Sequence, residues 1–399
     1  AITVLEAAVG KLPELGESHL ELGRLYEATN RTEALATFLA GLDPSACPPE
    51  IAFLHAWLAQ REGRFEDAAR YAEAIPETIH PLRREALIGN IAERNGDAAR
   101  AFAAFTRMNA AAIAEAPPLS SPSYREGLEA DIARWTPEWA TRWAPAPVPD
   151  AVRRDPIFLV GFPRSGTTLL DTMLMGLPEL CVLEERPMIA EVSRMLGTAD
   201  LAALTTQQCA QLREAYFASA LRHGWDGERW LVDKHPLNMA RTALIHRMFP
   251  DARFILAERH PADVVLSCFM ANFTLNTAMR SFTDLTEAAL TYDAVFRAWH
   301  KAGALFPLQT SAVRYERLVE DPEGELQPLV EWLGLAWNDR LLAHEATARE
   351  RGRVRTASYA QIGEKLYTRA AGRWRRYAND LAPVLPILSP WTQQMGYGE

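Results

Sequence analysis

The sequence predicts an α/β domain, P-loop-like, built on a parallel sheet with helices on both faces and preceded by an all-α domain of tetratricopeptide-like repeats. Three observations lead there. Small residues recur near the N-terminus at intervals of 34 and 33 residues (Ala34, Ala68, Ala101), which is the tetratricopeptide period. After residue 156 short apolar runs alternate with amphipathic stretches, the pattern of a parallel sheet with crossover helices. The run from Pro156 to Thr168 reads as a buried strand, a glycine-bounded turn and a helix start.

The first 113 residues are alanine-rich with apolar positions at helical spacing. The period predicts helix pairs over 17–29 with 32–42, 50–62 with 65–75, and 81–94 with 97–110. A small residue at the repeated position lets two helices approach closely. Phe38 and Phe105 follow one turn later. Stacked pairs of this kind expose a concave face. That face serves either a docked peptide or protein, or a rigid platform for a second copy of the chain.

Residues 114–150 read as a linker with an amphipathic helix. Ala116 to Ser123 is rich in proline and serine. Leu128, Ile132, Trp135, Trp139 and Trp143 then fall at three- and four-residue steps, the tryptophans as core, and Pro137 should split the segment. Ala144 to Pro149 is a second break, and the second domain should span 151–399.

In that domain, strands are expected at 157–160, 180–183, 230–233, 253–257 and 311–315. Helices are expected over 166–176, 186–196, 206–222, 238–248, 261–272 and 323–333. Ligands of such sheets sit beyond the carboxyl ends of the strands. Each polar cluster below lies at such an end.

Composition narrows the function. A formal net charge of −9 argues against broad nucleic-acid binding. No apolar run approaches the roughly eighteen residues of a transmembrane helix. The stretch Ala1 to Glu6 has no basic region of the kind that opens a secretory signal. Cys47, Cys181, Cys209 and Cys268 are scattered with no CxxC pair, so they are expected to be reduced in a cytoplasmic protein. No cluster has metal-ligand spacing.

The glycine-bounded turn carries the most chemistry. Four residues separate Gly161 from Gly166, and a hydroxyl follows at Thr168. Backbone N–H groups of such a turn and of the helix start converge on a phosphate. A nucleoside triphosphate loop places lysine where this chain has Thr167, and its cation sits earlier, at Arg164. Without that lysine the loop suits a donor with less charge on the transferred group.

Three further clusters follow. Arg259 and Ser267 lie eight residues apart at the third strand end and could clamp one phosphate. Lys234, one of only four lysines, sits at the second strand end beside His235. Glu184 and Glu185 are adjacent on a short extended segment, so only one should face the crevice.

The motif Pro163-Arg164-Ser165-Gly166-Thr167-Thr168 resembles the 5′-phosphosulfate loop of sulfotransferases that use 3′-phosphoadenosine-5′-phosphosulfate (PAPS). Arg259 with Ser267 resembles their 3′-phosphate motif. In order and spacing, residues 155–399 resemble the tyrosylprotein sulfotransferases, and the repeats resemble those of bacterial sulfotransferases with tetratricopeptide repeats. The resemblance implies transfer of a sulfuryl group from PAPS to an acceptor hydroxyl, leaving 3′-phosphoadenosine-5′-phosphate, with no metal. It implies catalytic roles for Arg164, Glu185 and Lys234, and a nucleotide-side role for Tyr315. It also implies a late closing loop carrying Arg369, Gly372 and Trp374. Leu183 stands where that family has glycine, and His235 where it has aspartate. Cytosolic sulfotransferases use a histidine two residues past a lysine as base. Here His235 is one residue past Lys234 and should point away, so Glu185 is favoured as base, with His235 the alternative. Two other readings remain: an ATP- and magnesium-dependent kinase-like enzyme, with Asp233 as metal ligand, and a repeat-based scaffold with an inactive nucleotide domain. The acceptor, among protein tyrosine, glycan, lipid or metabolite hydroxyls, is not legible in the sequence.

Overall fold

The computed structural model describes residues 1–12, 16–29, 31–42, 48–119, 121–143, 153–350 and 370–398. The chain divides into two compact units. The first comprises Ala1–Pro118, Phe269–Asp284 and Arg376–Asp380; the second comprises Leu119–Cys268, Leu285–Arg375 and Leu381–Glu399.

The first unit is all-helical. Its helices are α1 (Ile2–Lys11), α2 (Gly16–Ala28), α3 (Thr32–Ala40), α4 (Ile51–Arg61), α5 (Phe65–Glu73), α6 (Pro81–Arg94) and α7 (Ala98–Glu115). Helices α2 to α7 lie where the period places pairs; α1 lies before the first expected pair. The repeated small residues Ala68 and Ala101 are fully buried, and Ala34 is half-buried. Segment 269–284, whose first four residues the sequence places in the helix expected over 261–272, contains a 3-10 turn at Met279–Thr283. It is fastened to α7. The buried Asn109 side chain donates to the Phe269 carbonyl at 2.8 Å, and Phe102 stacks on Phe269 with ring centres 5.2 Å apart.

The second unit opens with α8 (Tyr124–Arg134) and α9 (Pro137–Thr141), split at the proline as expected. Ser123 and Glu126 form a capping box on α8. Trp135, Trp139 and Trp143 pack on one another and on Phe306, so these rings are core.

Five strands follow: β1 (Ile157–Gly161), β2 (Leu180–Glu184), β3 (Trp230–Lys234), β4 (Arg253–Glu258) and β5 (Gln309–Arg314). All pairings are parallel, in the order β2-β3-β1-β4-β5. The chain leaves the central β1 toward one edge and returns to build the other. The strand order therefore reverses at β1, where α/β sheets place their ligands. Side-chain alternation divides the core. Ile157, Leu159, Val232 and Ile255 join Leu170 and Met173 of α10 (Thr167–Leu174) in one cluster. On the opposite face Phe158 and Phe254 meet Tyr216, Phe249 and Trp299.

The remaining helices of use here are α11 (Met188–Leu196), α12 (Thr206–Arg222), α13 (Thr242–Met248), α14 (Pro261–Phe269), α15 (Leu285–Leu305), α16 (Tyr315–Glu320) and α17 (Pro322–Leu333). The expected helix 238–248 is a 3-10 turn, Pro236–Arg241, followed by α13. Pro236 at its start removes one backbone donor. The long α15 has no counterpart among the elements expected from sequence. It buries Tyr292, Phe296 and Trp299. No helix among the described residues is long and apolar enough to cross a membrane.

Candidate functional site

The turn after β1 supplies the first part of the site. Ser165 N–H donates to the Phe162 carbonyl at 3.1 Å, closing the turn. Gly166 caps α10 at φ 96°, so the first-turn N–H groups of that helix open on the turn. Ser165, Thr167 and Thr168 are buried, and Ser165 Oγ has no hydrogen-bond partner among the described residues. The buried Cys268 thiol donates to the Pro163 carbonyl at 3.2 Å, tying the turn to α14.

Arg164 sits at φ 72°, in the left-handed region that side chains other than glycine seldom adopt. Its Nε donates to Ser267 Oγ at 3.2 Å. Arg259 at the end of β4 donates to the Arg164 carbonyl at 3.0 Å and to the Ala370 carbonyl at 2.6 Å. Its guanidinium lies 4.7 Å from the Tyr315 ring centre. Its Nε is buried with no partner among the described residues. Tyr315 in turn presses on the loop: a Cβ on Gly166 would stand 2.6 Å from Tyr315 Cδ2. Arg259 and Ser267 therefore both meet the loop, Ser267 through the Arg164 side chain.

The late segment meets the first turn of α14. Asp263 accepts from the N–H groups of Gly372 and Trp374, each at 2.7 Å. The Trp374 ring stacks on His260 with centres 5.0 Å apart. Arg369 lies outside the described residues.

The second part of the site centres on Lys234, whose side chain is wholly buried at the end of β3. Its Nζ stands 3.0 Å from Glu185, 3.1 Å from Glu184 and 3.4 Å from Asp171. Burial alone would push the Lys234 ammonium down, but the carboxylates of Asp171, Glu185 and Glu184 outweigh it and hold the group above the ordinary lysine value. The expectation that only one of the adjacent glutamates faces inward is corrected here. Alternation holds along a strand, but Glu185 lies just past β2 at φ 46°, which turns its side chain back beside that of Glu184. Its N–H donates to the Lys234 carbonyl at 2.7 Å, fixing that turn. Among the described residues only Arg164 and Glu185 combine a side chain with positive φ. Strained backbone of this kind collects at functional sites.

His235 continues extended, at φ −145°, and burial pushes its imidazole down, with the Glu185 charge opposing. Asp233, on the other side of the strand, accepts from the buried Tyr216 hydroxyl at 2.9 Å. Burial raises it to about 7. Asp171 is a neighbour of Lys234 that sequence reasoning missed, and Glu184 one that it named without a role. Asp171 did leave a signal, as a lone acid in the otherwise apolar and hydroxyl run Thr167–Leu174. Among the described residues no group of His, Cys, Asp and Glu is placed to hold a metal.

The chain is similar to known proteins. Residues 156–339 match the sequence profile of the sulfotransferase family. Over 398 residues the chain is 27% identical to an uncharacterized protein of Aquifex aeolicus (strain VF5), covering 96% of this chain and 50% of that one. Over 271 residues it is 26% identical to protein-tyrosine sulfotransferase 2 of Gallus gallus, covering 61% of this chain and 71% of that one. A solved sulfotransferase domain, from the Synechococcus PCC 7002 olefin synthase, superposes with a TM-score of 0.42 at 22% identity, covering 62% of this chain and 98% of that one. The segment that carries the loop and Lys234 is thus similar to the sulfotransferase family, and the chain is related to the protein-tyrosine sulfotransferases at low identity. The chain spans half the length of its Aquifex relative.

Proposed function

We propose that this chain transfers the sulfuryl group of PAPS to an acceptor hydroxyl, with residues 151–399 as the catalytic domain, 114–150 as a linker and 1–113 as a tetratricopeptide-like platform. The observation that carries the reading is the placing of Glu185 and Lys234 within 3.0 Å of each other, with Glu185 and Arg164 both held in left-handed backbone.

The N–H groups of 165–168, with the hydroxyls of Ser165, Thr167 and Thr168, hold the 5′-phosphate. Pro163 shapes the turn. Arg259 and Ser267 hold the 3′-phosphate, and the unpartnered Arg259 Nε is a donor available for it. Tyr315 packs against the nucleotide side of the loop, while Gly372, Trp374 and Arg369 close over it. Lys234 and Arg164 stabilise the charge that grows on the leaving phosphate oxygen and the sulfonyl oxygens. Glu185 takes the acceptor proton as the acceptor oxygen bonds to sulfur and the sulfur–oxygen bond to the phosphate breaks. Of the three carboxylates on Lys234, Glu185 has the most exposed side chain, at 32% against 8% for Glu184 and 0% for Asp171. An acceptor reaches it most easily. His235 is the alternative base. Protein tyrosine is the acceptor favoured by the protein-tyrosine sulfotransferase relatives. The first unit offers a docking place in a cavity of about 340 Å³ lined by Glu66, Ala69, Ile88, Ile91, Asn95 and Arg100, among others. A magnesium-dependent reading is disfavoured by Asp233, which is fully buried, with one oxygen accepting from Tyr216.

The test is thermal stability with 3′-phosphoadenosine-5′-phosphate against ADP plus magnesium. A ligand at about 100 times its Kd stabilises by about 2.7 kcal/mol. Stabilisation by the bisphosphate alone, followed by transfer of labelled sulfate from PAPS to a tyrosine peptide, is the expected result. Stabilisation by ADP–magnesium alone overturns it.

A further inference from the structure

Lys234 has three N–H donors and three carboxylate neighbours: it donates to Glu184 and Glu185 and pairs with Asp171 at 3.4 Å, so no carboxylate-free side of the ammonium is left for a further anion. A lysine in that state cannot also reach a leaving oxygen unless one bond exchanges. The three partners differ in how they are held. Asp171 sits on α10, one turn after the phosphate loop, with its side chain wholly buried. Glu184 is the last residue of β2 and lies directly opposite Lys234 in the β2–β3 register. Both carboxylates are buried on regular elements. Glu185 lies beyond the strand end and is the exposed member of the three.

We infer that Asp171 and Glu184 are positioning residues that hold the Lys234 ammonium in place, while its third N–H is the one exchanged between Glu185 and the sulfuryl donor. The holding role stands on the geometry alone; the exchange rests on the sulfotransferase reading. The charge balance explains why two holders are present. A fully buried ammonium loses its hydration, which costs several kcal/mol unless partners replace it. When the bond to Glu185 leaves for the donor, the hydrogen bond to Glu184 and the ion pair with Asp171 remain. Glu185 is then released from Lys234 at the moment it is needed to accept a proton. The ionisable groups around the ammonium are Asp171 from α10, Glu184 and Glu185 from the end of β2, and the chain neighbours Asp233 and His235. Asp233 is directed to Tyr216.

The composition makes the test direct, because the chain has only four lysines, Lys11, Lys234, Lys301 and Lys365. The full chain is labelled with carbon-13 at lysine Cε, Lys234 is assigned by its loss in Lys234→Arg, and its titration is followed by NMR. In the unsubstituted protein Lys234 should stay protonated above the usual lysine value of ~10.4. In Asp171→Asn and, independently, in Glu184→Gln it should titrate at least about one pH unit lower. Glu184→Gln, at a strand end, keeps the question answerable if Asp171→Asn fails to fold. In parallel, affinity for 3′-phosphoadenosine-5′-phosphate should change less than about threefold in both variants. Turnover with a phenolic acceptor should fall about tenfold or more, with the alkaline limb of its pH profile moved down in step. A Lys234 titration unmoved in both variants overturns the inference. A moved titration in a protein that neither binds the bisphosphate nor transfers sulfate leaves the holding role standing and overturns the exchange together with the sulfotransferase reading.

Discussion

Gly166→Ala tests whether the loop is shaped by close approach or by backbone freedom alone. Two costs are expected. Gly166 has φ 96°, and a non-glycine residue in left-handed backbone costs about 1–2 kcal/mol. A methyl there would also stand 2.6 Å from Tyr315 Cδ2 and 3.4 Å from two further ring atoms. The ring cannot swing aside cheaply, because it is buried and the Arg259 guanidinium lies 4.7 Å from its centre. Overpacking of that kind adds about 1–3 kcal/mol. The sum is a loss of about 2–5 kcal/mol. Gly334, the left-handed cap of α17 at φ 70°, supplies the control in the same unit, since a Cβ there meets nothing within 4 Å. Gly334→Ala should therefore lose only the backbone share, about 1–2 kcal/mol. Urea denaturation followed by tryptophan fluorescence measures both. Titration calorimetry with 3′-phosphoadenosine-5′-phosphate reads the site. Affinity should fall about tenfold or more in Gly166→Ala, as the loop N–H groups shift, and stay unchanged in Gly334→Ala. Equal stability losses in the two variants, with nucleotide affinity intact in both, would refute the claim that Tyr315 and the loop are fitted to each other.

Two further outcomes are expected. Burial raises Asp233 to about 7 in the fold, against 3.8 for the ordinary carboxyl, so the unfolded chain releases this proton first and stability falls as pH rises from about 4 to about 7. Asp233→Asn should match the native protein near pH 4 and exceed it by a few kcal/mol at pH 7–8; a pH-independent difference in urea midpoint would show that Asp233 is not held protonated. Asn109→Leu leaves the buried Phe269 carbonyl without its donor and should cost about 1–3 kcal/mol, with faster proteolysis within 269–284. Unchanged cleavage there would show that α7 does not hold that segment.

The all-helical character of the N-terminal region was legible because apolar residues recur there at helical spacing, and such a period survives in one dimension. The five strands and the glycine-bounded turn were legible for a related reason: each is a short-range pattern of apolar residues, glycine and hydroxyls. The long helix α15 passed unassigned, although it buries Tyr292, Phe296 and Trp299. Arg164, Lys234 and Arg259 were named from residue type at or just past strand ends, and Ser267 from its spacing to Arg259. The strand order could not, because it depends on pairings between segments far apart in the chain. Sequence alone therefore could not say that β1 is central or that Glu184 stands opposite Lys234. The same limit explains the one inverted expectation. Alternation predicts that adjacent glutamates diverge, and only the left-handed backbone of Glu185, fixed by its N–H bond to the Lys234 carbonyl on the neighbouring strand, turns both onto one ammonium. Asp171 joined them for the same kind of reason: the α10 turn that follows the loop brings a carboxylate under a strand that arrives some sixty residues later in the chain. The sequence by itself determined which chemical groups the protein has and which local turns present them. Tertiary structure decided which of those groups share a charge, because electrostatic partnership depends on distance in space rather than along the chain.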